Sequence, residues 1–266
     1  MTKIIAVTNQ KGGVGKTTTS VNLAASLAAT KRRVLLVDLD PQGNATMGSN
    51  VDKRTLDRSI VDVLLARAEI EDCLIKVENI GYTLLPGNDQ LTSAEIGLLR
   101  VEQREYRLRE ALQAIKHQFD FIFIDSPPSL NMLTVNGLVA ADSVIIPTQC
   151  EYYALEGLSA LLATIERIRQ TANPNLQIEG VLRTMFDPRN NLANDVSSQL
   201  TAHFGDSVYR TIIPRNVTLA EAPSHGLPVI NYDKNSRGAR AYLALAGEML
   251  RRSEAASTHS HSVDTQ

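Results

Sequence analysis

Two lysines lie close together in a glycine-rich stretch near the start of the chain, "NQKGGVGKTTTSVNLA" at residues 9–24. The standard phosphate-binding loop, G-x-x-x-x-G-K-[ST], has a glycine six residues before its lysine, and that position here is Gln10. The glycines that follow still leave the backbone free to turn its N–H groups inward around an anion. One lysine is enough to hold a phosphate, so the extra lysine, Lys11, needs a separate explanation.

The second half of this loop has the residue types that bind a nucleotide. Lys16 would reach the β- and γ-phosphates, and the hydroxyl of Thr17 would bind Mg²⁺. Thr18 could donate to the α-phosphate, and the helix that follows adds the positive end of its dipole. The sequence therefore predicts a site for ATP or GTP with Mg²⁺. The residues expected to contact the nucleotide here are Lys11, Gly12, Gly13, Val14, Gly15, Lys16, Thr17 and Thr18.

Aspartates follow two other apolar runs. "VDLDPQGNAT" places Asp38 and Asp40 just past a predicted strand, and "FIFIDSPPS" ends a strand with Asp125. A carboxylate at the end of such a strand is what a Walker B position supplies, close to the magnesium and its waters. For Asp38 and Asp40 an alternative is turn chemistry before the proline and glycine that follow. If the three aspartates belong to the nucleotide site, their carboxylates all lie at one edge of a sheet.

The elements that would position these residues alternate along the chain. The apolar runs are continuous rather than alternating, as expected of parallel strands covered on both faces. Strands are predicted at 3–8, 32–38, 82–87, 119–125, 142–148 and 178–186, and helices include 16–29, 102–116, 155–171 and 194–204. This order predicts an α/β fold: a single-domain, doubly wound, mainly parallel sheet with helices on both faces, of the P-loop NTPase type. Ligands bind at the carboxyl ends of such strands.

Composition sets limits on the class of protein. The chain has 266 residues, 43% of them hydrophobic, and a formal net charge of −2, so binding to DNA or anionic lipid would need a local basic patch. Its two cysteines, Cys73 and Cys150, are far apart and predict a reduced, cytoplasmic protein. No apolar run is long enough to span a membrane, and no secretory leader is expected. We expect one domain at residues 1–252 and a disordered polar tail at 253–266.

The loop and several other stretches together resemble a known family. "KGGVGKTTT" resembles the deviant Walker A motif of the ParA/MinD superfamily of ATPases, whose defining feature is the extra lysine. "VDLDPQGNAT", "IDSPPSLNMLTVNGL", "QCEYYALEGL" and "IPRNVTLAEAPSHGLPV" resemble the chromosomal ParA (Soj) branch, and the resemblance covers residues 3–250. It implies a chromosome- or plasmid-partitioning ATPase with ATP and Mg²⁺. Such a protein forms a homodimer around two ATP molecules, and a ParB-type centromere-binding partner stimulates its slow hydrolysis.

The resemblance also implies roles for single residues. Lys11 would cross the dimer interface to the phosphates of the partner's ATP, and Gly12 would stay small because the two loops nearly touch. Asp40 resembles the residue needed for hydrolysis, by orienting the attacking water. The implied catalytic residues are Lys11, Lys16 and Asp40, and the implied metal-site residues are Thr17, Asp38 and Asp125. Met185, Pro214 and Asn216 would contact the adenine, although a methionine and a proline at a strand end could equally be plain packing.

The same resemblance implies binding to nucleoid DNA without sequence preference. Arg189, in "FDPRNNL", stands where this branch carries a DNA-contacting arginine, and Arg215 is a further candidate. The branch often has another basic residue where this chain has Thr218. Arg183 is unusual at its position and could partly replace that missing cation. An ordinary solvated face is the alternative explanation for these charges.

Three other functions are alternatives to a partitioning ATPase. A MinD-like or flagellar-placement ATPase would bind membranes through a C-terminal amphipathic helix, but residues 238–254 predict an Ala/Leu helix packed on the sheet and then a Ser/Thr/His tail, so no membrane partner is expected. An electron-transfer ATPase like the nitrogenase iron protein would need two cysteines per subunit for a shared cluster, and Cys73 and Cys150 do not fit that requirement. A metabolic ligase would need substrate-binding residues that the sequence does not identify.

Overall fold

A computed structural model describes residues 2–263 of the chain, and the side chains of residues 2–255. The strands are β1 Lys3–Val7, β2 Val34–Asp38, β3 Ile75–Val77, β4 Tyr82–Leu85, β5 Phe121–Asp125, β6 Ser143–Gln149 and β7 Gln177–Thr184. The helices are α1 Lys16–Ala28, α2 Asn44–Met47, α3 Ile60–Leu64, α4 Leu91–Leu98, α5 Arg107–Ile115, α6 Met132–Ala140, α7 Ala154–Thr171, α8 Asn191–Phe204, α9 Val217–Glu221, α10 Val229–Tyr232 and α11 Arg237–Val263.

The seven strands form one sheet in the order β3-β4-β2-β5-β1-β6-β7. Every neighbouring pair is parallel except β3 with β4. The predicted fold class, a doubly wound and mainly parallel sheet, is therefore confirmed. The antiparallel edge strand β3 is absent from the prediction because three residues, "IKV", are too few to show a periodic pattern.

Alternate residues of each central strand feed two separate hydrophobic layers. In β1, Ile4 and Ala6 pack with α3 to α8, whereas Ile5 and Val7 pack with α1, α2 and α9 to α11. Both sets are almost completely buried. This two-sided burial explains why the strands read as continuous apolar runs, and it leaves the carboxyl end of the sheet as the natural place for a ligand.

Some helix boundaries differ from the prediction. The helix expected at 102–116 begins only at Arg107, because Gln103 adopts a left-handed conformation (φ 52°) and a 3₁₀ turn precedes the helix. The helix expected at 194–204 begins earlier, at Asn191, where the side chain of Asn190 accepts a hydrogen bond from the backbone of Ala193.

The last helix is also longer than expected. α11 continues to Val263, so residues 253–263 of the predicted disordered tail are helical. These residues include two alanines and no glycine or proline that would end a helix. Residues 264–266 of the predicted tail lie outside the described residues. The division of the chain into a domain and a tail at residue 252 stays a prediction.

Candidate active site

The loop between β1 and α1 has the conformation of an anion-binding turn. Gly13 (φ 74°) and Gly15 (φ 87°) have a left-handed backbone conformation that would be strained in a residue with a side chain. Gly15 occupies the N-cap of α1 and supplies no side-chain hydrogen bond, in contrast to the capping asparagines of α6, α8 and α9. The first N–H groups of α1 therefore have no side-chain partner at the cap, and an anion can take that place.

Lys16 lies across the loop with its side chain buried. Its ammonium donates to the carbonyl of Lys11 at 3.1 Å. Burial lowers the pKa of Lys16, and the nearby charges of Asp125 and Asp40 act in the opposite direction. The loop and the predicted acidic residues thus meet around this one cation.

Asp125 is completely buried at the end of β5 and holds the start of α1. Its two oxygens accept hydrogen bonds from the hydroxyls of Thr17 at 2.7 Å and Ser20 at 2.8 Å. Burial, and after it the charge of Asp38, raises the pKa of Asp125 to about 8. Burial and the charge of Asp38 both disfavour the ionised form of Asp125, and a bound divalent cation would favour that form.

Asp38, also completely buried, is occupied by its own chain. Oδ2 accepts from the backbone and the hydroxyl of Thr46, both at 2.7 Å, and Oδ1 accepts from the backbone of Asp40 at 3.3 Å. Burial raises the pKa of Asp38 to about 6. The Thr46 hydroxyl in turn accepts from the backbone of Gly87 at 2.9 Å. Asp38 therefore fixes the segment that carries Asp40, in addition to facing Asp125.

Asp40 makes a turn contact and also lies near the Lys16 ammonium. Its Oδ1 accepts from the backbone of Gln42 at 2.9 Å, which is turn chemistry before the left-handed Gly43. Its side chain also contributes to the field on the Lys16 ammonium. The Lys53 ammonium donates to the carbonyl of Gln42 and covers the same turn.

Lys11 points away from the phosphate loop of its own chain. Its ammonium forms an ion pair with Glu151 at 2.5 Å, and both side chains are about half exposed. A Cβ atom built on Gly12 would meet nothing within 4 Å. Packing within the described chain gives no reason for a glycine there. The side chain of Val14 is buried and its carbonyl accepts from the hydroxyl of Thr184 at 2.8 Å, so its contact with a nucleotide stays a prediction.

A small apolar cavity opens beside the loop. Its volume is about 180 Å³, and its lining includes the three residues expected near the adenine, Met185, Pro214 and Asn216, together with Gly15 and Thr18. Met185 is left-handed (φ 48°), which turns it toward Gly15. The side-chain oxygen of Asn216 accepts from the backbone of Leu219 and caps α9. The structure thus brings these residues to the phosphate loop, and their contact with a base stays a prediction.

The three arginines expected to contact DNA lie in different environments. Arg189 is 88% exposed and paired with Asp187 at 2.8 Å. Arg215 is exposed and lines the small apolar cavity beside the loop. Arg183 is half-buried, and its guanidinium donates to the hydroxyl of Ser197 and to the carbonyl of Tyr209. Its contact with DNA stays a prediction.

The sequence of the chain is similar to those of known proteins. The profile of an AAA domain family matches residues 2–178. The chain is 55% identical over 251 residues to the sporulation initiation inhibitor protein Soj of Bacillus subtilis, which covers 94% of this chain and 98% of that protein. It is 48% identical to the chromosome partitioning protein ParA of Caulobacter vibrioides, over 94% of each chain. The chain belongs to the ParA/Soj family.

A solved structure extends the comparison beyond the ParA/Soj proteins. The cobyrinic acid a,c-diamide synthase of Mycobacterium smegmatis, solved with ADP and magnesium, is 40% identical over 96% of each chain, with a TM-score of 0.84. The predicted family is thus confirmed. Three further residues, Ser20, Thr46 and Glu151, contact the predicted site residues and were not predicted from the sequence. Glu151 stands in the quoted stretch "QCEYYALEGL", but its contact with Lys11 joins residues that are distant in the chain.

Proposed function

We propose that this protein is a partitioning ATPase that hydrolyses ATP to ADP and phosphate. The observation that carries the proposal is the grouping of Lys16, Thr17 and Asp125 around an anion-binding loop. The identity to Soj and ParA supports partitioning as the process that uses the ATP.

Each residue of the site then has a separate task. Thr17 and Asp125 would hold Mg²⁺, which when bound neutralises charge on the phosphate oxygens. Lys16 stabilises the negative charge that develops during phosphoryl transfer. Asp40, whose backbone is fixed by Asp38, orients the attacking water.

A homodimer explains the second lysine. In the ATP state two subunits would face each other, and Lys11 would leave Glu151 for the phosphates of the partner's ATP. The half-exposed ion pair and the open space around Gly12 support this arrangement. A cation supplied by another subunit lowers the barrier as an arginine finger does, and it couples assembly to the nucleotide.

We propose nucleoid DNA and a ParB-type centromere-binding protein as the partners of this dimer, in the cytoplasm. Exposed Arg189 and Arg215 would contact backbone phosphates, so binding would be independent of sequence and sensitive to salt. DNA and the ParB-type protein would stimulate hydrolysis and so release the dimer.

The last helix, α11, supports the MinD-like alternative less than it supports a partitioning ATPase. The described helices include none that is long and apolar enough to cross a membrane. In α11, Tyr242, Leu245 and Met249 are fully buried against the sheet, and Leu243 is 37% exposed. That apolar face is therefore not free to enter a lipid surface.

Co-sedimentation with random-sequence DNA and with anionic vesicles, in ATP or in ADP, tests the proposed function. We expect DNA binding in ATP that is lost in ADP and falls steeply with salt. Vesicle binding in ATP without DNA binding would instead establish the MinD-like alternative. Amide formation on cobyrinic acid without DNA binding would assign the protein to the synthases.

A further inference from the structure

The outer face of α11 carries three arginines on one line. Arg237 begins the helix, and Arg240 and Arg251 follow on the same face; all three are exposed. Positions 237, 240, 244, 247 and 251 alternate spacings of three and four, which keeps them on a single helix face. The intervening Ala244 and Gly247 have no bulk, and the Arg251 guanidinium lies back over Gly247. From Arg237 to Arg251 the line is about 21 Å long at about 1.5 Å per residue.

The three arginines differ from other exposed arginines of the chain in their ion pairs. In the described part of the chain none of the three takes part in an ion pair, whereas exposed Arg33 and Arg54 are each paired with an aspartate. Cations in the first turn of a helix oppose its dipole, and like charges three residues apart repel. Arg237 and Arg240 thus do not stabilise α11, and they suit an anionic partner.

One end of this line meets the arginines proposed to contact DNA. Gly238, next to Arg237, lies against the side chain of Asn216, since a Cβ atom built there would be 3.0 Å from Oδ1. Asn216 follows Arg215, whose backbone donates to the carbonyl of Phe186 at 3.2 Å. The strand-end loop then continues to the ion pair of Asp187 with Arg189. These contacts place the first turn of α11 beside the loop that carries Arg215 and Arg189.

The other end of the line meets a further exposed arginine, Arg210. Its backbone donates at 2.9 Å to Glu248, which lies on α11 one turn before Arg251. Glu248 is buried and paired with Arg252 at 2.8 Å, so its negative charge is balanced inside the chain. We name Arg210, Arg237, Arg240 and Arg251 the α11 ridge.

We infer that the α11 ridge binds the phosphate backbone of double-stranded DNA and extends the contact surface of Arg189 and Arg215. This inference rests on the proposed function. The ridge supplies cations near the place where the chain has Thr218 and not a basic residue. A line of about 21 Å is as long as about six base pairs of a duplex, at about 3.4 Å of helix axis each. A flat row of cations with small residues between them positions a backbone and does not distinguish bases.

The test compares two doubly charge-reversed variants. Arg240→Glu/Arg251→Glu changes the ridge, and Arg32→Glu/Lys76→Glu makes the same change of net charge at exposed cations outside the ridge and without an ion pair in the described chain. Affinity for a random-sequence duplex is measured with a non-hydrolysable ATP analogue over a range of salt. Dimer formation is followed by sedimentation velocity.

We expect the ridge variant to form the ATP dimer but bind DNA at least about tenfold more weakly than the control variant. Its salt slope should be shallower by about 1.8 for each bound subunit, because about 0.9 is lost per phosphate contact. If both variants bind alike while the unmodified protein binds DNA, the inference is wrong and the proposed function stands. If the unmodified protein binds no DNA with ATP, the proposed function itself fails. If charge reversal disturbs folding, the milder variant Arg240→Ala/Arg251→Ala is used in its place.

Discussion

At the scale of single residues, the two lysines of the loop differ in where their charges lie. Lys16 is buried over its own loop beside Asp125, whereas Lys11 is held at the surface by Glu151. The sequence predicted the position of Lys16 because the order of glycine, lysine and threonine is local. It could not predict Glu151 as the partner of Lys11, because that contact depends on how two distant strands end in the fold.

The burial of Lys16 predicts a large effect of its removal. Lys16→Ala should weaken ATP binding about 100-fold, since charge-assisted contacts contribute up to about 3 kcal/mol. Isothermal titration measures the affinity, with Lys11→Ala as the matched control that keeps its own site. Equal affinities of Lys16→Ala and the unmodified protein would refute the assignment of the loop.

Asp40 separates binding from hydrolysis. Asp40→Ala removes the group proposed to orient water but leaves Lys16 and Asp125 in place, so we expect ATP binding within about threefold of normal and hydrolysis reduced about 100-fold. Nucleotide affinity and steady-state phosphate release are the two readouts. Normal hydrolysis in this variant would assign water activation to another residue.

Asp125 makes the stability of the nucleotide-free protein depend on pH. Because burial raises its pKa to about 8 in the fold, above the unfolded value, the fold holds a proton that the unfolded chain releases. Stability is then greatest below the unfolded pKa near 4 and is lost as pH rises toward 8. Asp125→Asn removes this cost, so at pH 8 its melting temperature without nucleotide should be a few degrees higher, at about 2–4 °C per kcal/mol.

The control for Asp125→Asn is the same comparison at pH 5, where the carboxyl is protonated in the fold and the gain should shrink. The variant should also lose Mg²⁺-dependent ATP hydrolysis. A melting temperature that is lower than normal at pH 8 would contradict the account of the buried pair.

At the scale of elements, the short helix α2 is tied to the sheet through one hydroxyl. Thr46 donates to Asp38 and accepts from the backbone of Gly87, so it joins β2, α2 and the end of β4. Local patterns predicted the long strands and helices well, because their apolar periodicity is strong. They missed β3 and α2, whose few residues are held by tertiary contacts of this kind.

Thr46→Val tests this tie. The change keeps the shape but leaves a buried N–H of Gly87 without its partner, at a cost of about 1–3 kcal/mol. We expect a lower melting temperature and a fall in kcat that exceeds the change in ATP affinity, because Asp38 also positions Asp40. Thr55→Val, an exposed threonine, is the control, and Thr46→Ser should restore both properties. An unchanged kcat in Thr46→Val would show that this tie does not reach the catalytic turn.

At the scale of the whole molecule, the last helix, α11, contacts the small apolar cavity beside the loop on one face and carries proposed DNA-binding arginines on the other. Tyr242 of α11 lines the cavity and its hydroxyl lies 3.2 Å from that of Thr19 in α1, while the opposite face carries the α11 ridge. The sequence could predict that this helix packs on the sheet, since its apolar spacing is regular. It could not show that Arg183 turns inward, because that orientation depends on Ser197 and the carbonyl of Tyr209.

The account depends most on ATP closing a dimer through Lys11. Sedimentation velocity of Asp40→Ala and of Lys11→Ala/Asp40→Ala, each in saturating ATP with Mg²⁺ and in ADP, measures this directly because both variants are expected to hydrolyse ATP slowly. We predict that Asp40→Ala sediments as a dimer in ATP and as a monomer in ADP, and that the double variant binds ATP but remains a monomer. A double variant that dimerises as well as Asp40→Ala, or an Asp40→Ala protein that stays monomeric with ATP bound, would contradict the account.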